Sequence, residues 1–170
     1  MRKHIAKLSK GIDAINTALG QFVAYATFLM AIIMFAIVVL RYGFNLGWIA
    51  MQESVTYLHA AVFLLGSAFT YQQNAHVRVD VFYRQFSERK KAWVNLIGSL
   101  IFMLPVSLYI GIICFEYVID SWALLEGSRE PGGLPFVYVL KSFLLVFATS
   151  MVLQALSDIA KQALSLRELG

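Results

Sequence analysis

The sequence predicts an all-α membrane protein with four transmembrane helices, and three observations carry this prediction. The 170 residues are 59% hydrophobic and only 14% charged, whereas soluble domains usually carry about 25% charged residues. Four stretches are long and apolar enough to cross a bilayer core as helices, which takes about 20 residues each. These stretches are also too long and too weakly alternating for barrel strands. The predicted architecture includes short interfacial amphipathic helices, and both termini are cytoplasmic.

The whole chain, 1–170, is expected to form a single membrane domain. The predicted spans cover residues about 17–40, 51–71, 92–117 and 135–157. An interfacial helix, about 4–16, precedes the first span. A cytoplasmic amphipathic segment, 74–91, joins the second and third spans. A periplasmic loop, 118–134, joins the third and fourth spans. Pro105 lies inside the third span and predicts a kink there. The first apolar run is longer than a signal-peptide core and no small-residue cleavage site follows it, so we expect this helix to be retained.

The distribution of lysine and arginine sets the expected orientation. The chain has 14 of these residues and a formal net charge of +4. The N-terminal tail carries four, the loop between the second and third spans five, and the C-terminal tail two, whereas Arg41 and Arg129 are on the opposite side. Because cytoplasmic segments are enriched in lysine and arginine, both tails and the central loop are predicted to be cytoplasmic. The cations flank apolar spans and form no single basic face, so nucleic-acid binding is not expected.

The segment 74–91, NAHVRVDVFYRQFSERKK, begins with strand-like alternation and continues with helical spacing. Its apolar residues fall at i, i+3, i+4 and i+7 on one helical face: Val79, Phe82, Tyr83 and Phe86. Its basic residues can reach lipid phosphates: Arg84, Arg89, Lys90 and Lys91. These eight residues are the predicted membrane-interface anchor. The residues alone leave two interpretations equally open, an interfacial anchor and a solvated connector that only fixes topology.

The stretch from Leu46 to Gly98 resembles the small membrane subunit, of the DctQ/SiaQ type, of tripartite ATP-independent periplasmic (TRAP) transporters. The resemblance rests on these features: Trp48 with Gln52-Glu53, Gly66 in FLLGSAF, HVRVDVFY from His76 to Tyr83, and Ser87 with Trp93. It extends over essentially the whole chain in length and number of spans. The sequence EPGGLP (130–135), with Lys141, is similar to one branch of the family.

The resemblance implies a subunit of the bacterial inner membrane that is not an enzyme and needs no cofactor. In this family a periplasmic binding protein delivers an organic acid to a large membrane subunit, whose transport domain moves like an elevator driven by sodium. The small subunit packs against the scaffold of the large subunit and holds it still in the bilayer. The implied partners are the large subunit, the periplasmic binding protein and phospholipid. The resemblance also favours the anchor interpretation of segment 74–91.

Two sets of residues are candidates for contacts with these partners. The expected interface with the large subunit consists of Trp48, Gln52, Glu53, His76, Arg78 and Asp80. Contact with Arg41 is an alternative for Glu53, because an unpaired carboxylate facing lipid is costly. A further alternative is an ordinary interfacial carboxylate that faces water. The expected contact with the binding protein consists of Glu126, Arg129, Glu130, Gly132 and Gly133. The alternative for this loop is that it only shapes the entry into the fourth span.

Three further residues bear on competing functions. A small haem-binding four-helix protein usually needs two facing intramembrane histidines, but the spans contain only His59, which we interpret as a packing residue. A small exporter needs a carboxylate deep in a span, and the nearest candidate is Glu116, close to a span end. Lys141, one turn into the fourth span, is expected to snorkel outward or to pair with a partner subunit or a loop carboxylate such as Glu126 or Glu130.

Overall fold

The computed structural model of the chain describes residues 2–77 and 81–168. Within these residues every regular element is helical and no strand occurs. The α-helices are α1 (Arg2–Gly43), α2 (Ile49–Gln72), α3 (Glu88–Ile97), α4 (Leu104–Ala123) and α5 (Val137–Glu168). A π-helical segment, Gly98–Met103, joins α3 to α4, and a single 3-10 turn, Tyr83–Gln85, precedes α3.

The described chain has four helical stretches that are long and apolar enough to cross a membrane, as predicted. They are α1, α2, the continuous stretch from α3 through α4, and α5. Helix α5 is central, because α1, α2, α3, the π-helical segment and α4 all pack against it, and α1 also packs against α2. Large apolar side chains such as Phe28, Phe35 and Ile112 face outward from the bundle, where lipid can cover them.

The third span contains a widened turn where the sequence predicts a kink. Pro105 has no backbone N–H, and in a regular α-helix its ring would collide with the carbonyl of Ile101, four residues earlier. The π-helical segment Gly98–Met103 contains that carbonyl and ends just before the proline. The chain therefore accommodates Pro105 by widening the preceding turn.

The first helix differs from the predicted division into an interfacial helix, about 4–16, and a separate span, about 17–40. Helix α1 is continuous over 42 residues, which is about 63 Å at about 1.5 Å per residue. A bilayer core is only about 30 Å thick, so α1 extends well beyond it. Side chains of Asp13 and Asn16 bond to α5, and these contacts keep the N-terminal half of α1 in line with the span.

The connection between α2 and α3 also differs from the predicted amphipathic helix. In its described parts, residues 73–77 and 81–87, the only regular element is the turn Tyr83–Gln85. The backbone is extended at Phe86 and at Ser87, and two successive extended residues end any helical face that begins upstream. Phe82 is exposed, whereas Tyr83 and Phe86 are half-buried. Val79 lies outside the described residues.

The basic cluster that follows belongs to the start of α3. Ser87 occupies the N-cap position of α3, although its side chain makes no capping bond. Arg89 and Lys90 are exposed, and Lys91 Nζ pairs with Glu88 Oε1 at 2.9 Å. Glu88 places a negative charge in the first turn, where the helix dipole favours it.

The second residue after α4, Leu125, adopts a backbone conformation that favours glycine. Leu125 has φ of 45°, and this left-handed region costs residues other than glycine about 1–2 kcal/mol. Its neighbour Leu124 has φ of −90°, and both side chains are exposed.

We expect Leu125→Gly to raise the free energy of unfolding in detergent by about 1 kcal/mol, because glycine relieves this strain. The matched control is Leu124→Gly, which removes a neighbouring exposed leucine without relieving strain and should not stabilise the protein. A loss of stability in Leu125→Gly as large as that in Leu124→Gly would contradict the expectation.

Candidate functional site

At the end of the bundle that holds both chain termini, buried polar side chains join α1 to α5. Asn16 donates from Nδ2 to Gln154 Oε1 at 2.6 Å, and each of these residues is only 1% exposed. Lys161 Nζ lies 2.7 Å from Asp13 Oδ2. Because a buried polar group without a partner is costly, the Asn16–Gln154 bond favours one register of α1 against α5. The more exposed Asp13–Lys161 pair lies in the same register.

A second group of polar contacts brings α2 and the π-helical segment to α5. Ser99 donates to Asp158 Oδ2 at 2.5 Å, and Tyr71 donates to the same oxygen at 3.3 Å. The other oxygen, Oδ1, accepts a hydrogen bond from Gln162 at 3.1 Å. The carboxylate of Asp158 therefore joins three helical segments within the chain.

The sequence prediction does not include this polar network, although a signal for it exists. Polar residues recur at intervals of three and four on both helices: Ser9, Asp13 and Asn16 on α1, and Gln154, Asp158 and Lys161 on α5. Residues at these intervals share one helical face. A polar stripe on each of two apolar helices indicates that the two stripes meet.

At the opposite end of the bundle, the loop between α4 and α5 is bound to α2 through Glu53. The carboxylate accepts one hydrogen bond from the Ser128 hydroxyl and another from the Leu134 backbone N–H at 2.6 Å. Gly133 is needed beside them, since a Cβ there would collide with the side chain of Ser128 and lie 2.8 Å from Glu53 Oε1. The sequence predicts a contact of Glu53 with the large subunit or Arg41, whereas the structure uses both carboxylate oxygens to hold the loop.

An ion pair holds the same loop to α5. Lys141 Nζ pairs with Glu126, which also accepts a hydrogen bond from Ser121 Oγ at 2.7 Å. The ammonium group lies 3.8 Å from the centre of the Tyr117 ring, a cation–π contact. Pairing with a loop carboxylate is one of the arrangements expected for Lys141, and the structure confirms it.

Between these two fixed points the tip of the loop is exposed. Arg129, Glu130 and Gly132 are exposed, and Gly132 has φ of 79°. The Gly133 N–H donates to the Glu130 carbonyl at 3.0 Å and closes a tight turn. Of the five residues predicted to contact a binding protein, Glu126 and Gly133 therefore hold the loop, and the other three point outward.

The other residues predicted to contact the large subunit are spread over both ends of α2. Trp48 precedes the helix and is 64% exposed, and Gln52 is exposed one turn later. His76 lies beyond the other end of α2, and its Nε2 is 3.3 Å from a backbone carbonyl of that helix. Arg78 and Asp80 lie outside the described residues. The structure therefore does not gather this set into one site.

His59 departs from its interpretation as a packing residue. It is exposed on the surface of α2, and its ring lies 4.7 Å from the ring of Phe63. The reason is geometric, because the packed faces of α2 are used by α1 and α5 and His59 lies on the remaining face. Among the described residues no group of three histidine, cysteine, aspartate or glutamate side chains could hold a metal ion.

Because an ion pair holds the outer loop, we expect the stability of the fold to depend on pH. The hydrogen bond from Lys141, with that from Ser121, holds the pKa of the Glu126 carboxyl below its ordinary value of 4.5. A lowered folded-state pKa stabilises the fold at pH values above 4.5, and this contribution is lost as the pH falls through the lower value. We expect Glu126→Gln to lower the melting temperature at pH 7, with the difference from wild type shrinking in acid below about pH 4.5.

The matched control for this pH series is Glu130→Gln, which changes the charge of the same loop at an exposed carboxylate. It should leave the melting temperature unchanged at pH 7. A difference between wild type and Glu126→Gln that persisted unchanged in acid would contradict the role of the ionised carboxylate.

Comparisons with known proteins agree with the resemblance seen in the sequence. The family described as "Tripartite ATP-independent periplasmic transporters, DctQ component" matches residues 30–165. A protein of Haemophilus influenzae (strain ATCC 51907 / DSM 11121 / KW20 / Rd) that carries the name TRAP transporter small permease protein is 30% identical over 136 residues, 79% of this chain and 83% of that protein. No solved structure matches the chain. The family match spans most of the chain, which therefore belongs to the DctQ-component family, the small permease subunits of TRAP transporters.

Proposed function

We propose that this small permease subunit serves a sodium-coupled TRAP transporter for organic acids and acts as the fixed scaffold for the large subunit. The observation that carries the proposal is the use of carboxylates inside the bundle. Asp13, Glu53 and Asp158 are each bonded to another helix or loop of the same chain. A carrier must free polar groups to bind and release its cargo, whereas a scaffold keeps them paired.

The proposal places both termini and the basic cluster at the start of α3 in the cytoplasm. Positive-inside asymmetry supports this orientation, because the tails and residues 84–91 hold most of the lysine and arginine. The loop between α4 and α5 then faces the periplasm. It is the side from which a periplasmic binding protein approaches.

The exposed tip of this outer loop is the proposed docking point for the binding protein. The carboxylate of Glu53 and the Glu126–Lys141 pair hold the ends of the loop. A pre-ordered loop loses little conformational entropy when a partner binds. The charged residues exposed at the tip are Arg129 and Glu130.

Phospholipid is proposed as a further partner at the cytoplasmic end. A groove of about 760 Å³ lies between the 3-10 turn and the third span, lined by Phe82, Phe86 and Phe102 among others. The exposed Arg89 and Lys90 lie at the start of the same span. Apolar walls beside cations suit an acyl chain and an anionic headgroup.

Reconstitution in proteoliposomes tests the proposed function. We expect the purified chain alone to take up no organic acid, and uptake to appear when the large subunit, the binding protein and an inward sodium gradient are added. The informative control omits only this chain, and uptake should then be lost. Uptake by the isolated chain, or equal uptake without it, would contradict the scaffold role.

A further inference from the structure

The exposed residues of α2 form one narrow stripe. They are Ile49, Gln52, Thr56, His59 and Phe63. Their successive intervals of three, four, three and four residues are the heptad spacing that keeps one face of a helix against a neighbouring helix. We infer that this α2 stripe is the contact surface for a transmembrane helix of the large subunit, an inference that rests on the proposed scaffold function.

The chemistry of the α2 stripe favours a protein helix over lipid. His59 lies near the middle of this 24-residue helix, and Gln52 and Thr56 lie on the same face. Among the described residues, no hydrogen bond of the Gln52 or His59 side chain is found. Lipid chains offer no hydrogen-bonding group, and ionisable residues at this depth normally face protein or a water-filled cavity. A partner helix supplies the missing contacts.

The outward faces of α1 and α4 are mainly apolar, unlike the α2 stripe. Helix α1 presents Phe28, Ile32 and Phe35, and α4 presents Ile112 and Ile113, all exposed and apolar. Lipid chains can cover such side chains without leaving a hydrogen-bonding group unpaired. Helix α4 packs against α5, on a different side of the bundle from α1 and α2.

Glu116 and Asp120 are the exposed carboxylates of α4, and their positions fit the same distinction. They lie seven and three residues before the end of that helix at Ala123, whereas His59 lies ten residues from the nearer end of α2. The face of α4 is therefore suited to lipid, and the partner is expected on the α2 side.

The stripe also defines the helix that fits it. Heptad spacing corresponds to a crossing angle of about +20° between the two helices. The ring of Phe63 lies against that of His59, which keeps the imidazole on the stripe. The partner helix carries a hydrogen-bonding side chain opposite His59, and small residues nearby allow close approach.

Photo-cross-linking in membranes that contain the co-expressed large subunit tests the α2 stripe. Benzoylphenylalanine placed at position 56 or 63 should give a cross-linked band with the large subunit. The same group at position 112, also exposed but on α4, should give none. Cross-links from position 112 alone, or a band at the mass of two copies of this chain from position 56 or 63, would overturn the inference. Failure of the unmodified chain to co-purify with the large subunit would overturn the proposed function itself.

Substitution of the histidine tests the polar contact separately. His59→Leu should lower, several-fold, the amount of large subunit recovered with each unit of this chain. His59→Asn keeps a hydrogen-bonding side chain, so more large subunit should be recovered with it than with His59→Leu. The control Ile112→Leu should give the same recovery as wild type. Equal recovery from His59→Leu and wild type would overturn the role given to His59.

Discussion

A polar side chain inside a lipid bilayer is costly without a hydrogen-bond partner, and this constraint pairs polar groups from different helices of the described chain. The Asn16–Gln154 bond is its clearest case, because it joins two almost fully buried amides that are 138 residues apart in sequence. The Ser9–Ser157 contact, at 2.6 Å, lies along the same pair of helices. Apolar surfaces alone slide easily past one another in lipid, so these bonds select one register.

The same constraint acts at the other end of the bundle, where it orders a loop instead of a helix pair. Glu53 holds the loop to α2, and Lys141 holds it to α5 through Glu126. Both helices also belong to the packed centre of the bundle. The outer loop and the paired ends of α1 and α5 are therefore parts of one bonded framework. The scaffold role proposed above requires such a framework.

Membership of the TRAP small permease family and this framework support each other. The family match identifies a transporter component, and the structure pairs Asp13, Glu53 and Asp158 with residues of the same chain. The α2 stripe is an exception, since its polar side chains Gln52 and His59 face outward. An exception of this kind indicates where a second protein completes the bundle.

Hydropathy alone predicts the four membrane-crossing helices, because burial in lipid depends on local apolar content. The Glu126–Lys141 pair was also within reach of the sequence, since both charges lie near one bilayer surface. The partners of Asn16 and Glu53 could not be predicted from the sequence, because they lie far away along the chain. The helical periodicity from Phe82 to Phe86 did not reveal the extended backbone at Phe86 and Ser87. Likewise, the apolar surroundings of His59 in sequence gave no sign that it faces outward.

The most direct measurement of whether polar pairs hold the helices is a double-mutant cycle on Asn16 and Gln154. The single variants Asn16→Leu and Gln154→Met keep side-chain size, and the double variant removes both amides. Free energies of unfolding in mixed detergent should give a coupling energy of about 0.6–2 kcal/mol. The double variant should therefore be less destabilised than the sum of the single variants. Strictly additive losses, with a coupling energy near zero, would contradict the idea that this hydrogen bond sets the register of α1 and α5.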